Sequence, residues 1–359
     1  MRPAALIHVQ LVPVQLVPVQ LVHVQLVQVQ PSTFPGGMMQ QSTLSATVVL
    51  CAYTERRWDD IVAAIASLRA QTVPPVQIVI VVDHNETLRD RVVQHAPDLK
   101  VVDSSGVPGL ADARNTGVAL ATGDVVAFLD DDAAAAPDWL EQMLAAYLDE
   151  TVLGVGGHVE PNWEQGRPAY LPREFWWVVG CSYNGLPETT AAIRNPIGAG
   201  MSLRRDVLAL AGGFSTDLGR VLKDPAGCEE TELCIRAAAS SPGGRFLYEP
   251  RAVVHHRVPA ERVTWAYFRS RCFAEGRSKA VVMALTGSGP ALSAERSYVA
   301  STLPRGFCRG LGEAIRGDSA GFVRAAWIGL GLSVTTAGYV SGRLAAARAS
   351  RRAEPSRQR

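Results

Sequence analysis

Residues 109–132, GLADARNTGVALATGDVVAFLDDD, decide how the rest of the chain is interpreted. The first half suits a helix that runs to about Leu120, and Gly123 is a natural stop for it. Residues 125–129 form a short apolar run, long enough for one buried strand. Three carboxylates follow at the point where that strand should end. In an open α/β sheet, ligands bind outside the carboxyl ends of the strands.

The three carboxylates belong to Asp130, Asp131 and Asp132. Three adjacent acids repel one another unless a cation lies between them. Ligands that are all oxygen suit Mg²⁺ or Mn²⁺. The sequence therefore predicts a divalent metal site at the end of this strand.

Composition limits the kind of protein this is. The chain has 359 residues, of which 47% are hydrophobic and 19% charged, so one large domain or two ordinary domains with a sizeable core are expected. The net charge is +1, which gives no bulk electrostatic case for binding nucleic acid. None of the six cysteines forms a C-x-x-C pair, which indicates reduced, mostly buried thiols in a cytosolic compartment.

The first 43 residues differ from the remainder. From Val9 a five-residue unit, VQLVP and its variants, repeats. A period of five matches neither a helix nor a strand, so no face of it is consistently apolar. We expect residues 1–43 to be a disordered, low-complexity leader without a catalytic role. Translation that starts at Met38 or Met39 is an alternative that fits the same pattern.

Strands alternate with helices over residues 44–150. The apolar runs 47–52, 76–82 and 100–103 read as strands, and amphipathic stretches follow them. This alternation predicts an α/β fold with a mostly parallel sheet and helices on both faces.

The second half carries another acidic cluster, GCEETELCIR, at the predicted start of a helix. Acids in a first helical turn complement the helix dipole, which accounts for one or two of the three acids there. Before this cluster lies an aromatic-rich insert around residues 163–183, which suits either sugar contacts or core packing. After it, residues 245–254 read as a strand that His255 and His256 follow.

Taken together, these motifs resemble the family-2 inverting glycosyltransferases, which have the GT-A nucleotide-sugar-binding fold. The resemblance covers roughly residues 47–256, and six stretches carry it in the family's order: CAYTER, VVDHN, GLADARNTG, FLDDD, NPIGAGMSLRRDVLALAGGF and GCEETELCIR. It implies transfer of a sugar from a nucleotide-diphosphate donor to an acceptor hydroxyl, with inversion at the anomeric carbon.

The resemblance also implies the residues that bind the donor, most simply a UDP-sugar. Tyr53 and Glu55 match the residues that flank the base and ribose. Asp83 matches the carboxylate that hydrogen-bonds a uracil-type base edge. Arg114 and Asn115 match the pair that opens the helix beneath the diphosphate.

The same comparison assigns the metal and the base. Asp132 matches the acid that binds Mn²⁺ or Mg²⁺ directly, and Asp130 matches the acid that holds the ribose or a metal-bound water. Glu230 stands at the family's general base, with Glu229 as the alternative. In some relatives a histidine at the place of His255 and His256 is a metal ligand, and the choice between these two stays open.

The C-terminal region is expected to be helical and associated with a membrane. Residues 325–342 are eighteen residues without a charge, with Trp327 and Tyr339 near their ends. That is a marginal length for crossing a bilayer, so an in-plane helix or a helix packed on the body are alternatives. A lipid-linked or glycan acceptor and a location at the cytoplasmic face of the membrane, or in the cytoplasm, follow as expectations.

The predicted organisation is therefore a leader (residues 1–43), a GT-A domain (44–256) and a helical extension (257–359) that holds the candidate membrane segment. Two other functions are weighed against glycosyl transfer. A sugar-phosphate nucleotidyltransferase would need a glycine-rich signature after the first strand, and CAYTERR has no glycine. A non-catalytic sugar-binding protein would be favoured by loss of an acidic cluster, and both clusters are present.

Overall fold

A mixed β-sheet with helices on its faces forms the centre of this computed structural model, which describes residues 44–216, Leu218, 227–287 and 293–353. The predicted leader lies outside the described residues. The strands are β1 (Ala46–Ala52), β2 (Gln77–Val82), β3 (Lys100–Asp103), β4 (Val125–Asp130), β5 (Ala133–Ala135), β6 (Val152–Trp163), β7 (Ala191–Ile193), β8 (Gly200–Arg204) and β9 (Arg245–Val258).

Ten helices accompany these strands in the described ranges. They are α1 (Trp58–Arg69), α2 (Glu86–His95), α3 (Leu110–Leu120), α4 (Trp139–Ala146), α5 (Arg205–Ala211), α6 (Glu229–Ser240), α7 (Trp265–Thr286), α8 (Ser293–Ser297), α9 (Leu303–Ile315) and α10 (Ser319–Ala353). Short 3-10 turns cover Glu55–Arg57, Arg173–Val179 and Ala260–Val263.

The strand order is β3-β2-β1-β4-β8-β6-β9-β5, and β7 pairs with β9. Strands β1 to β4 are parallel, as the alternation of strands and helices predicts. The α/β class is confirmed, but the parallel order does not extend across the whole sheet. Strand β8 is antiparallel to both β4 and β6. Strand β6 and the insert after it end at the same edge of the sheet as the carboxyl end of β4. The chain therefore enters β8 from that edge, and β8 runs in the opposite direction to β4.

The parallel half is held together by side chains that are buried on both faces of the sheet. Leu50 of β1, Ile80 of β2 and Leu129 of β4 are at most 2% exposed. Helix α1 covers one face with Ile61 and Leu68. Burial of apolar side chains stabilises each by roughly 1.5–3 kcal/mol. This packing fixes the carboxyl ends of β1, β2 and β4 side by side.

Two differences from the sequence-based boundaries affect the site. Strand β9 runs on to Val258, so His255 and His256 lie within it rather than after it. The short strand β5, which the sequence did not predict, pairs antiparallel with β9 and sets Ala133 opposite His256. This pairing brings the acidic turn that ends β4 next to His256.

Helices α7 and α10 pack closely along each other. The contact depends on glycines: a Cβ on Gly276 of α7 would lie 2.0 Å from the Thr335 carbonyl oxygen of α10. A Cβ on Gly338 of α10 would lie 2.1 Å from the carbonyl oxygen of Phe273 in α7. Helix α10 also reaches the insert, where Gly331 contacts Phe175. The C-terminal helices therefore pack directly on the residues that surround the site.

Replacing Gly338 by alanine is expected to lower the free energy of unfolding by about 1–3 kcal/mol, because the added methyl group has no room. Gly329 of the same helix has open space around its Cβ position. Gly329→Ala is therefore the matched control, and we expect it to raise stability by up to about 1 kcal/mol through helix propensity. Denaturant unfolding measures both variants, and equal stability of the two would contradict the close helix contact.

Candidate active site

The acidic turn after β4 forms a candidate metal centre with one histidine. Asp130 ends β4, Asp132 precedes β5, and His256 lies opposite on β9. Each offers one ligand atom, and these atoms all lie within 4.8 Å of one another. His255 is exposed on the other side of the strand. Of the two histidines that the sequence left open, the structure brings His256 to the acids.

The donor set suits a borderline divalent cation. Carboxylate oxygens with one imidazole nitrogen are acceptable ligands of Mn²⁺. His256 Nε2 lies 3.2 Å from Asp132 Oδ1, and both side chains are almost fully buried. The residues that are present therefore fit a divalent metal ion, and His256 extends the predicted pair Asp130 and Asp132 to three candidate ligands.

Two arginines hold the same turn. Arg262 Nη2 lies 3.0 Å from Asp132 Oδ2, and Arg57 Nη2 lies 3.2 Å from the same oxygen. Burial opposes ionisation of Asp132, but His256, Arg57 and Arg262 together hold its pKa well below the usual value. Arg57 also pairs with Asp131, whose own pKa is raised by burial. Asp132 is therefore a charged carboxylate ready to accept a cation.

No local pattern in the sequence indicates a role for these two arginines at the site. Arg262 is separated from Asp132 by 130 positions, and Arg57 by 74 positions from Asp131. Arginine is a common surface residue, so only the folded contacts distinguish these two from the others.

A third arginine joins the two acidic clusters. Arg114 of α3 is 2% exposed, and its guanidinium donates to Glu229 Oε1 at 3.1 Å and to Asp130 Oδ1 at 3.4 Å. It also donates to the carbonyl oxygen of Gly198 at 3.3 Å. A Cβ on Gly198 would lie 2.8 Å from Arg114 Nη2, so a glycine there makes room for the guanidinium. The buried guanidinium of Arg114 thus contacts both acidic clusters.

Glu230 follows Glu229 at the start of α6 and lines the same cavity as Asp130. Burial, and then the neighbouring Glu229 carboxylate, raise the pKa of Glu230 to about 8, although Arg114 acts in the opposite direction. Glu232, the third acid of the cluster, pairs instead with Arg236 one turn further along the helix. The cluster therefore divides into two acids that line the cavity, of which Arg114 pairs with Glu229, and one acid that stabilises its own helix.

The cavity has a volume of about 770 Å³ and extends from the acids to the C-terminal helices. Its lining includes Glu229, Glu230, Asp130 and His256. It also includes side chains of the insert, of α7 and of α10, among them Trp177, Tyr183, Lys279, Leu332, Thr335 and Tyr339. Helix α10 therefore forms part of the wall of the cavity that contains the acids.

The aromatic insert divides into a buried part and a part that lines the cavity. Phe175 and Trp176 are buried, and Phe175 contacts Phe268 of α7 with ring centroids 5.3 Å apart. Trp177 and Tyr183 line the cavity. One part of the insert is thus core and the other part is available to a ligand.

The remaining predicted donor residues lie at the neighbouring strand ends and are not among the residues that line this cavity. Tyr53 and Glu55 are exposed after β1, and Asp83 follows β2. Asp83 Oδ2 accepts a hydrogen bond from the Gly109 amide at 2.9 Å. Asn85 Nδ2 donates to the Tyr53 carbonyl oxygen at 3.3 Å. These contacts tie the ends of β1 and β2 to the start of α3.

Asn115 is not brought to the cavity. Its Nδ2 donates to the Phe214 carbonyl oxygen at 2.8 Å, and its Oδ1 accepts from the Phe214 amide at 2.8 Å. Its side-chain amide is thus engaged with the Gly212-Gly213-Phe214 turn, and both glycines of that turn have φ of +76°. This geometry gives Asn115 a role in holding the turn, and its predicted place beneath the diphosphate stays a prediction.

Comparisons with known proteins agree with this architecture. The model of the family "Glycosyl transferase family 2" matches residues 47–210. The glucosyl-dolichyl phosphate glucuronosyltransferase of Haloferax volcanii is 36% identical over 243 residues, which are 67% of this chain and 77% of that protein. The succinoglycan biosynthesis protein ExoM of Rhizobium meliloti is 26% identical over 70% of this chain and 79% of its own length.

Among solved structures, a mannosyltransferase from Pyrobaculum calidifontis, in complex with GDP-Man and Mn²⁺, has a similar fold. The TM-score is 0.56 at 20% identity, over 84% of this chain and 88% of that chain. The fold and the paired acidic clusters define a GT-A enzyme. The chain belongs to glycosyltransferase family 2. This membership does not support the nucleotidyltransferase and non-catalytic alternatives.

Proposed function

We propose that this glycosyltransferase moves a sugar from a UDP-sugar to a lipid-linked acceptor, with inversion, at the cytoplasmic face of a membrane. One observation carries the proposal: Asp130 and Glu230 line one cavity, and helix α10 forms part of its wall. This shared cavity supports a reaction in which the metal end of the donor, the base and an apolar acceptor come together.

The donor is assigned to the ends of β1, β2 and β4. Tyr53, Glu55 and Asp83 would contact the base and ribose, and Arg114 would face the diphosphate. Asp130, Asp132 and His256 would hold Mn²⁺ or Mg²⁺, which stabilises the negative charge on the departing nucleoside diphosphate when it is bound. The solved mannosyltransferase contains Mn²⁺, which supports this donor set.

The base is assigned to Glu230. Its carboxylate would take the proton of the acceptor hydroxyl as that oxygen attacks the anomeric carbon. A pKa of about 8 makes Glu230 a stronger base than an ordinary glutamate. Glu229 is held by Arg114 instead, so Glu230 is the better placed of the two for this step.

The acceptor is assigned to the part of the cavity beside α10. Among the described residues, Ser319–Arg348 is the one helical segment long and apolar enough to cross a membrane. One face of α10 packs on α7, which carries Arg271, Glu275 and Lys279, so we propose that α10 lies at the membrane surface rather than across the bilayer. The Haloferax relative is named as a glucuronosyltransferase of glucosyl-dolichyl phosphate, which supports a lipid-linked acceptor.

UDP together with Mn²⁺ is expected to stabilise the protein against heat. At a hundredfold excess over its Kd, a ligand that binds only the folded state contributes about 2.7 kcal/mol. GDP with Mn²⁺, and UDP with EDTA, are the controls. A larger shift with GDP would contradict the donor assignment, and a shift that persists in EDTA would contradict the metal site. Release of UDP from UDP-glucuronate and other UDP-sugars, with detergent-extracted lipids present, then tests the acceptor.

A further inference from the structure

A second cavity lies beside the insert and the start of α10. Its volume is about 480 Å³, and it shares no lining residue with the catalytic cavity in the ranges that the structure covers. Four arginines and three acids line it: Arg167, Arg173, Arg309, Arg324, Glu174, Glu313 and Asp318. The proposed glycosyl transfer uses none of the residues that line this cavity.

Two of the four arginines have no acidic partner among the residues that the structure describes. Arg309 pairs with Glu174, and Arg324 Nη2 lies 2.6 Å from Glu313 Oε2. Arg167 and Arg173 make no ion pair with any residue of the described ranges. Each lies instead near the ring of Trp176, at 5.5 and 5.2 Å from its centroid. Two positive charges at this cavity are therefore available to an anion.

Arg167, Arg173 and Arg324 line the same cavity. Although Arg167 is exposed, partial burial and then the positive charges of Arg173 and Arg324 lower its pKa, while Glu313 acts in the opposite direction. Like charges held together in this way are relieved when an anion enters between them. A phosphate group matches arginine donors in both charge and geometry.

The cavity also presents an unsatisfied acceptor. Glu174 is 1% exposed, and its Oε2 has no hydrogen-bond partner among the described residues. Its other oxygen accepts from Asn184 Nδ2 at 3.0 Å and pairs with Arg309. A buried oxygen without a partner is costly, and a hydroxyl or ammonium donor would satisfy it. The lining thus fits a phosphate that has a donor group a few bonds away.

Large apolar side chains are exposed on the two helices that contribute to this cavity. Ile315, at the end of α9, is 87% exposed, and Phe322, near the start of α10, is 63% exposed. Phe307 of α9 is 40% exposed. Exposed large apolar side chains beside basic residues are typical of surfaces that lie in the interface of a bilayer. A free soluble anion would leave these side chains without a role, whereas a lipid surface covers them.

We propose that the α9–α10 hairpin docks on a membrane by inserting Ile315 and Phe322, and that the adjoining cavity binds the phosphate and the donor group of an anionic lipid headgroup. Arg167 and Arg173 contact the phosphate, and Glu174 accepts from a headgroup hydroxyl, as in phosphatidylglycerol. The site does not depend on the identity of the sugar donor or acceptor.

Sedimentation of the full chain with vesicles tests the proposal. Vesicles of phosphatidylcholine and phosphatidylglycerol in equal amounts are compared with vesicles of phosphatidylcholine alone. The double variant Arg167→Gln/Arg173→Gln is expected to bind the mixed vesicles about thirtyfold more weakly than the parent chain. The variant Ile315→Ser/Phe322→Ser, which leaves the charge unchanged, is expected to weaken binding to the same vesicles as well.

The matched control is Arg69→Gln/Arg91→Gln. It removes the same charge from exposed positions elsewhere on the protein, and Arg91, like Arg167, lies over a tryptophan ring. It is expected to bind like the parent chain. Equal weakening by the control, or equal binding to both kinds of vesicle, would overturn the proposal. Displacement of the protein from the vesicles by soluble glycerol phosphate, at concentrations below that of the lipid, is the other contrary result. It would assign the cavity to a free phosphate and would also overturn the proposal. Melting temperatures show whether each variant is folded.

Discussion

Glu230→Gln is expected to reduce turnover by about a thousandfold and to leave binding of the UDP-sugar intact. A positioned general base contributes about 10²–10⁴-fold to the rate, and an amide cannot take the proton of the acceptor hydroxyl. The amide keeps the shape of the side chain, and Arg114 still pairs with Glu229 and Asp130. Turnover is followed by release of UDP, and donor binding by thermal stabilisation with UDP and Mn²⁺.

The pH profile gives an independent readout of the same carboxylate. Because the base acts in its unprotonated form, the kcat/KM of the parent enzyme should fall as the pH drops below about 8, the pKa of Glu230. The residual activity of the variant should lack this limb. The raised pKa also means that the folded state favours the protonated acid, so ionisation of Glu230 costs stability as the pH rises from 4.5 to about 8. The variant lacks this cost and should melt no lower than the parent at pH 8.

Glu232→Gln is the control for Glu230→Gln, because Glu232 lies in the same helical turn but pairs with Arg236. Its turnover should stay within about tenfold of the parent, which is small beside the loss of a base. Near-parental turnover of Glu230→Gln would remove Glu230 from the base role. Glu229 would then be the remaining candidate in this turn.

Asp132→Ala is expected to reduce transfer strongly and to remove the Mn²⁺-dependent part of the stabilisation by UDP. A metal on the leaving group supplies several kcal/mol of charge stabilisation, so a loss of about two to three orders of magnitude in rate is expected. Titration of Mn²⁺ against the variant, followed by the melting temperature, measures the site without reference to activity. Full Mn²⁺ dependence in the variant would exclude Asp132 as a ligand.

The neighbouring acid supplies the control for Asp132. Asp131 is equally buried and pairs with Arg57, but it is not one of the three candidate ligands. Asp131→Asn should therefore keep the response to Mn²⁺. Removal of Asp132 leaves Arg57, Arg262 and His256 without a shared counter-ion, and breaking a buried ion pair costs about 3–5 kcal/mol. Asp132→Asn, which keeps the volume, distinguishes loss of the metal from loss of the fold.

The sequence predicted the nucleotide half of the fold well because its signals are local. Apolar runs of strand length, such as those that became β1 and β4, alternate with amphipathic stretches. The acidic motifs were recognisable for the same reason, since their residues are adjacent along the chain. Strand β5, three residues of alanine, carries no such signal and was not predicted.

The rest of the site depends on pairings between distant positions. Arg114 lies 115 positions from Glu229, and nothing near either residue indicates their contact. The direction of β8 depends on the edge of the sheet at which the insert before it ends. The composition of the insert does not reveal that edge. For the same reason, the sequence could not divide the insert into the buried Phe175 and the cavity-lining Trp177.

The pairing of β5 with β9 carries a consequence for how this centre can change during evolution. Successive residues of a strand point to opposite sides, so a shift of one residue in β9 would send His256 to solvent and turn His255 inward. Both positions are histidine, so an imidazole would still face the acids after such a shift. The residues that contact the ring would be different. In relatives of this enzyme, we therefore expect retention of the metal to depend on the number of residues gained or lost before this histidine. An even number keeps the side chain on the same face of the strand, and an odd number moves it to the other face.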